Sequence, residues 1–216
     1  MKTARAMICS AAVLAACSLA AAGDRLGIGI KGGTYGVGVD LTGRIVDWFS
    51  LRGTVNAIDA SRSYSETDVD YDADVELGGY GLLADFHPLR NNFRISAGFL
   101  RNRNAIDLTA VPTADVTIGD NTYPAALVGE LDGSIRFKKN TPYVGVGYGS
   151  AAKSGHRVKF VLDVGVVQQG SGKASMTSSS GLVAPSDLRA EEAKIEDQIK
   201  NYKLWPVIAL GLSIRI

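Results

Sequence analysis

The chain has 216 residues, with 23 Lys or Arg against 22 Asp or Glu. That even balance leaves no electrostatic footprint for a polyanion, so nucleic-acid binding is excluded as its role. The length suits one domain, and no stretch after the leader has the roughly 20 apolar residues a transmembrane helix needs, so any membrane crossing falls to strands.

Residues 1–22 read as a cleaved signal peptide and 23–216 as the mature domain. Lys2 and Arg5 supply the positive start, Ala6 to Ala16 the apolar region, and Ala20-Ala21-Ala22 the cleavage site before Gly23. Taking Lys2 and Arg5 out of the 23 basic residues leaves 21 against 22 acidic. Cys9 and Cys17 both fall inside the leader, so the mature chain is expected to hold no disulfide. Leu14-Ala15-Ala16-Cys17 also matches a lipoprotein cleavage motif, which would make an acylated Cys17 the first residue.

Along the mature chain, alternation with a period of two predicts strands at about 34–45, 49–60, 70–86, 93–108, 157–168 and 203–216. In the first, Tyr35, Val37, Val39, Leu41 and Ile45 share one face, and Gly36, Gly38, Asp40, Thr42 and Arg44 the other. Residues 128–150 change phase near Pro142 and are read as one long strand with a bulge there, in preference to two strands turning at Lys139–Thr141. An eighth strand is assigned to Leu26–Lys31, reversing at Gly32-Gly33. The short turns Val46–Trp48, His87–Asn92 and Ala151–His156 then lie at one end, and segments 61–70, 109–127 and 169–202 at the other. A helix is predicted over 186–201, capped by Ser186 or Asp187 after Pro185, with a Leu188, Ile195, Ile199, Tyr202 stripe and a Glu196–Lys200 pair. It is expected either as a solvated helix over the rim or as a lid.

The polar faces mix glycine with full charges. Glycine weakens a solvent-facing strand and is placed where space is short, which suits a narrow polar interior inside an apolar outer band. Aromatics collect at strand ends (Tyr35, Trp48, Phe49, Phe86, Phe93, Tyr202, Trp205), as interfacial girdles do. The inward charges Asp40, Arg44, Arg52, Asp85, Arg94, Lys159, Asp163 and Arg215 are mixed in sign and are expected to pair across the lumen. The two histidines, His87 and His156, fall in predicted short turns, which leaves a nucleophile no base; no catalytic residues and no cofactor are assigned.

One further cluster stands apart. Asp70, Asp72, Asp74 and Glu76 share one strand face, about 7 Å apart along it. They form either a solvated acidic face offset by Arg101 and Arg103, or a divalent-cation site among lipopolysaccharide headgroups.

The Pro-Tyr-Val-Gly-Val-Gly-Tyr-Gly stretch at 142–149 and the ending Trp-Pro-Val-Ile-Ala-Leu-Gly-Leu-Ser-Ile-Arg-Ile resemble the small OmpA/OmpX-like outer-membrane β-barrels of Gram-negative bacteria. Ile216 stands where that family usually ends in an aromatic. The resemblance implies an all-β fold, an eight-stranded antiparallel transmembrane up-and-down barrel with one short helix in the last long loop. It implies export to the outer membrane and a monomer whose partners are outer-membrane lipid, lipopolysaccharide and the barrel assembly machinery. The expected function is non-enzymatic, in envelope integrity or surface interaction. A narrow transport or ligand-binding barrel is the alternative, and a lipid-modifying enzyme the third.

Overall fold

The computed structural model describes residues 25–66, 69–149 and 157–216. The leader with Cys17, and the turn with His156, lie outside the described residues. In chain order the strands are β1 (Leu26–Gly33), β2 (Gly36–Val46), β3 (Phe49–Glu66), β4 (Val69–Phe86), β5 (Phe93–Asn102), β6 (Ala105–Pro112), β7 (Val116–Ile118) and β8 (Asn121–Tyr123). After the single-turn α1 (Ala125–Val128) come β9 (Leu131–Arg136), β10 (Asn140–Tyr148), β11 (Val158–Val167) and β12 (Lys173–Ser178). The helix α2 (Pro185–Ile199) and β13 (Trp205–Arg215) complete the chain.

Eight of these strands close on themselves in the order β1, β2, β3, β4, β5, β10, β11, β13, every neighbour antiparallel. The seam is β13 on β1, where Ile28 faces Ile214 and Gly29 faces Ser213. Closure removes the sheet edges that would otherwise recruit other strands. The alternation maps onto the wall as expected: Asp40, Arg52, Ser96 and Asp163 are buried inside, while Val39, Leu51, Phe99 and Phe160 stand exposed outside. Glycine supplies the interior space. A Cβ on Gly147 would lie 2.8 Å from Asp163 Oδ1, and one on Gly145 or Gly165 would lie 2.5 Å from the Tyr143 hydroxyl.

Beyond the barrel rim, β3 and β4 continue as one hairpin. β4 pairs β5 from Gly79 to Phe86, and β6 from Val69 to Glu76. Gly78 lies between the two, with φ +128°, a backbone state that favours glycine. There the Asn104 side chain takes the Gly78 N–H at 3.0 Å, marking where β5 leaves and β6 arrives. The outer halves of β3 and β4 with β6, β9 and β12 carry the same sheet on beyond the barrel as a five-stranded extension, which makes this the broad end. A separate small core of Ile118, Val128 and Val183, packed by Val116, Tyr123, Leu131 and Leu188, ties the β7–β8 hairpin and α1 to α2. The opposite end carries the short connections at 47–48 and 87–92.

Four predicted boundaries need correction. The strand expected over 93–108 is two, β5 in the barrel wall and β6 in the extension beyond it, and the bulged strand expected over 128–150 is likewise β9 and β10. A change of phase marks the step in both cases, but a bulge within one strand and a break between two give the same change, so alternation alone does not separate them. Pro142 sits inside β10 opposite Phe99, beyond the first β10–β11 pair at Tyr143–Val167, so its missing N–H breaks no ladder. β1 runs to Gly33 and reverses through Thr34-Tyr35 rather than Gly32-Gly33. The helix starts with Pro185 in its first turn and has no side-chain cap.

Candidate functional site: a filled lumen beneath a surface sheet

The lumen is occupied in layers. At its centre Arg52, on β3, meets three carboxylates from three other strands. Its guanidinium forks onto Asp85 with two 2.9 Å bonds, and its Nη1 reaches Asp163 at 3.0 Å and Asp40 at 3.2 Å. Arg94 Nη2 donates to Asp163 Oδ1 at 2.7 Å, and Lys31 Nζ lies 2.8 Å from Asp40 Oδ1. The Ser96 hydroxyl donates to Asp85 at 2.6 Å. Three cations therefore face three carboxylates, all with side chains at most 9 % exposed. Equal numbers are what a desolvated network needs, because a leftover charge there would be costly.

Five of the eight inward charges read from the sequence, Asp40, Arg52, Asp85, Arg94 and Asp163, are brought together here. Lys31 was missed because it lies at the end of the strand with the sparsest pattern, although Gly27, Gly29 and Lys31 share a parity. Arg44, Lys159 and Arg215 do not join; they sit nearer the short-turn end.

Above the charges, toward the broad end, lies an apolar layer of Tyr35, Leu83, Leu100, Tyr143, Val167 and Val207, with Trp205 against it. Over that sits a lid of amides. Tyr35 donates to Asn102 Oδ1 at 2.8 Å, Asn104 Nδ2 to Gln169 Oε1 at 2.8 Å, and Gln169 Nε2 to the Tyr202 carbonyl at 3.0 Å. The cavities left on either side of Arg52 are about 20 Å³ each, room for a water molecule. At the short-turn end His87, 2 % exposed, holds Ser50 Oγ at 3.3 Å by Nε2 and the Phe93 carbonyl at 3.1 Å by Nδ1. The expected surface turn residue is thus buried, because β3 and β5 flank it. With Ser50 equally buried, this pair has no face open to a substrate.

The acidic ladder lies on the outer half of β4. Asp70 pairs through its backbone with Ser65 and Val111, and its side chain lies outside the described residues. The Ser61 hydroxyl donates to the Asp74 carboxylate. Arg103 stands 3.6 Å from Glu76, and Arg136 2.6 Å from Asp107, the residue facing Asp74 across β6. Arg101, expected to help, instead donates to Asn140 at 3.0 Å. Among the described residues no group of three or more His, Cys, Asp or Glu is gathered as a metal ion would require.

The helix α2 is docked rather than solvated. β12 is an edge strand, and its outward N–H groups at Ala174 and Met176 donate to Glu196 (3.2 Å) and Glu192 (2.7 Å). Residues four apart on a helix rise about 6 Å, and two apart on a strand about 6.7 Å, so the two elements match in pitch. Glu196 also holds Lys173 at 2.9 Å, while Lys200 pairs with Asp197; the expected Glu196–Lys200 pair does not form. Asp187 is committed to the β7–β8 hairpin, accepting from Tyr123 at 2.5 Å and Asn121 at 2.8 Å, which is why it does not cap the helix. The Tyr123 and Asn121 donors hold its carboxyl below the usual carboxylate range, and the same bond raises the Tyr123 phenol. The Lys173 ammonium likewise holds Glu196 low.

No family model and no curated protein sequence matches this chain. Two solved structures are similar to it. The Acinetobacter baumannii protein CarO2 aligns with a TM-score of 0.58 and 23 % identity, over 89 % of this chain and 98 % of that one. Acinetobacter baumannii CarO gives 0.57 and 22 %, with the same coverage. At such identity the likeness is one of fold, and it extends over nearly all of both chains.

Proposed function

We propose that the chain is an integral outer-membrane barrel with a closed lumen, its broad end displayed at the cell surface. In this reading it acts without catalysis, in envelope integrity or in surface interaction. The observation that carries it is the inside-out wall. Charged side chains are buried in the lumen, while apolar ones circle the outside of the barrel strands: Phe99 is 72 % exposed, Leu82 70 % and Val37 68 %. An uninterrupted apolar belt of this kind is untenable in water and suited to lipid. Trp48, 5.9 Å from Phe86 and 6.0 Å from Phe49, makes an aromatic edge at the short-turn end, where a girdle would meet the inner interface. No helix among the described residues is long and apolar enough to cross a membrane, so the crossing rests on the strands. The broad end would then meet lipopolysaccharide, and the barrel assembly machinery would insert the chain.

The test is electrophoretic. Purified in detergent and kept unheated in SDS, the protein should migrate differently from its boiled form. A native protein that stays soluble without detergent and shows one band in both conditions would overturn the reading.

A further inference from the structure

The outward face of the wall changes character at one level. On β4 the apolar residues Phe86, Ala84, Leu82 and Tyr80 give way beyond Gly78 to Val75, Ala73 and Tyr71, which have the other parity. Asp74 and Asp72, both exposed, take over the parity of Tyr80. The wall therefore suits lipid up to Tyr80 and water above it. Tyr80 is opposite Arg101 on β5, and Arg101 is opposite Asn140 on β10, so one row spans three strands at this boundary. One row deeper stand Leu82, Phe99 and Pro142. Phe99 and Leu82 are the two most exposed large apolar side chains among the described residues.

Cations cap this apolar ridge. Arg101 is exposed, and its partner among the described residues is the neutral Asn140 side chain, at 3.0 Å. Lys139 precedes Asn140, and its carbonyl accepts the Asn102 N–H at 2.6 Å. Lys138 lays its stem over Gly170, where a Cβ would lie 2.9 Å from its Cδ. The Gly170 N–H donates to the Lys203 carbonyl at 3.1 Å, which brings a fourth cation to the same sector. Lys138, Lys139 and Lys203 are exposed, and none forms an ion pair among the described residues. Arg103, by contrast, is taken up by Glu76. The far side of the rim differs: the turn Thr34-Tyr35 carries no charge, and β3 offers Asp59.

We infer that this sector binds a phosphorylated lipid of the outer leaflet, its phosphate on Arg101, Lys138, Lys139 and Lys203 and its acyl chains along Phe99 and Leu82. The inference rests on the membrane-spanning reading proposed above. A ligand that fits must be anionic at its head and apolar directly beneath, and a free anion would leave the ridge unused. A guanidinium matches phosphate oxygens two at a time, and each ammonium adds a point charge.

The experiment uses the full mature chain in a maltoside detergent, with lipid retention read by native mass spectrometry. Diphosphorylated lipid A and its fully dephosphorylated form are offered in turn. Wild type should retain the first at least about tenfold better, the gain expected of one charged hydrogen bond. Arg101→Gln should lower that retention about fivefold, the contribution of one basic side chain near an anionic surface. Changing Arg101, Lys138, Lys139 and Lys203 together to Gln should lower it at least about a hundredfold on the same scale. Changing Arg62 on β3 and Arg189 on α2, both exposed, to Gln should leave it unaltered. Heat-dependent mobility in SDS is read on every sample. Wild type without it would sink the membrane-spanning reading itself. A heat-modifiable wild type that holds both lipids equally overturns the site alone, and that comparison needs no variant to fold. Equal retention by a folded four-site variant, or an equal loss in the Arg62 and Arg189 variant, overturns it as well.

Discussion

Arg52 is the residue on which the lumen turns. It touches Asp40, Asp85 and Asp163, so Arg52→Ala leaves three buried carboxylates facing only Lys31 and Arg94. Breaking a buried pair from one side costs about 3–5 kcal/mol. Urea unfolding in detergent should show a loss of that size, and a change under about 1 kcal/mol, the range of exposed pairs, would contradict the network. Gly147→Val should disrupt the neighbouring Arg94–Asp163 pair, because its side chain would occupy the space of Asp163 Oδ1 and the Arg94 guanidinium. At this scale the sequence was readable in part. Parity put Asp40, Arg52, Asp85, Arg94 and Asp163 inside, because each alternates with an apolar neighbour. It did not reveal that Leu83, Leu100 and Val207 join in an apolar layer there, since a period of two sorts residues by side and says nothing of how that side is stacked.

Among elements, α2 shows most clearly how a helix can finish a sheet. Glu192 and Glu196 take up the N–H groups that the β12 edge would otherwise offer to another strand. Changing both to Ala should raise self-association, read as a larger mass by light scattering. Acid should undo the contacts of Glu196 and Asp187. Asp187 and Glu196 have lowered folded values, so their contribution is full above the ordinary carboxylate range and is lost as pH falls through and below it. Hydrogen exchange at the Ala174 amide should therefore lose protection in acid, after correction for the intrinsic rate, and unchanged protection would refute the coupling. The acidic ladder belongs to the same sheet. Since Arg103 and Arg136 lie against Glu76 and Asp107, millimolar Ca²⁺ should shift the melting temperature equally in wild type and in a variant with Asp70, Asp72, Asp74 and Glu76 made Asn or Gln. A calcium shift confined to wild type would establish the cation site instead. The helix itself was legible from Pro185 and its apolar stripe, but its docking was not, because the partners of Glu192 and Glu196 are backbone groups whose orientation no side-chain pattern records.

For the whole molecule, three stacked layers separate the two ends: paired charges, an apolar disc and an amide lid. Planar bilayers containing the protein should show no stable conductance, and reproducible steps altered by Asp85→Ala would point to transport instead. Eight strands and closure were foreseeable from alternation and turn spacing. The extension beyond the rim was not, because the change of phase in β4, from Val69, Tyr71, Ala73 and Val75 to Tyr80, Leu82, Ala84 and Phe86, falls inside one unbroken strand. That shared strand bears on the order of assembly. β3 and β4 pair continuously from Phe49–Phe86 to Glu66–Val69, all within one hairpin, whereas the seam joins Gly27 to Arg215 across nearly the whole chain. Contacts local in sequence form early, and distant ones wait on the loop entropy between them. The hairpin can therefore zip as one rod before its neighbours dock, serving as a common template on which β5 then closes the wall and β6 begins the canopy, with the seam last.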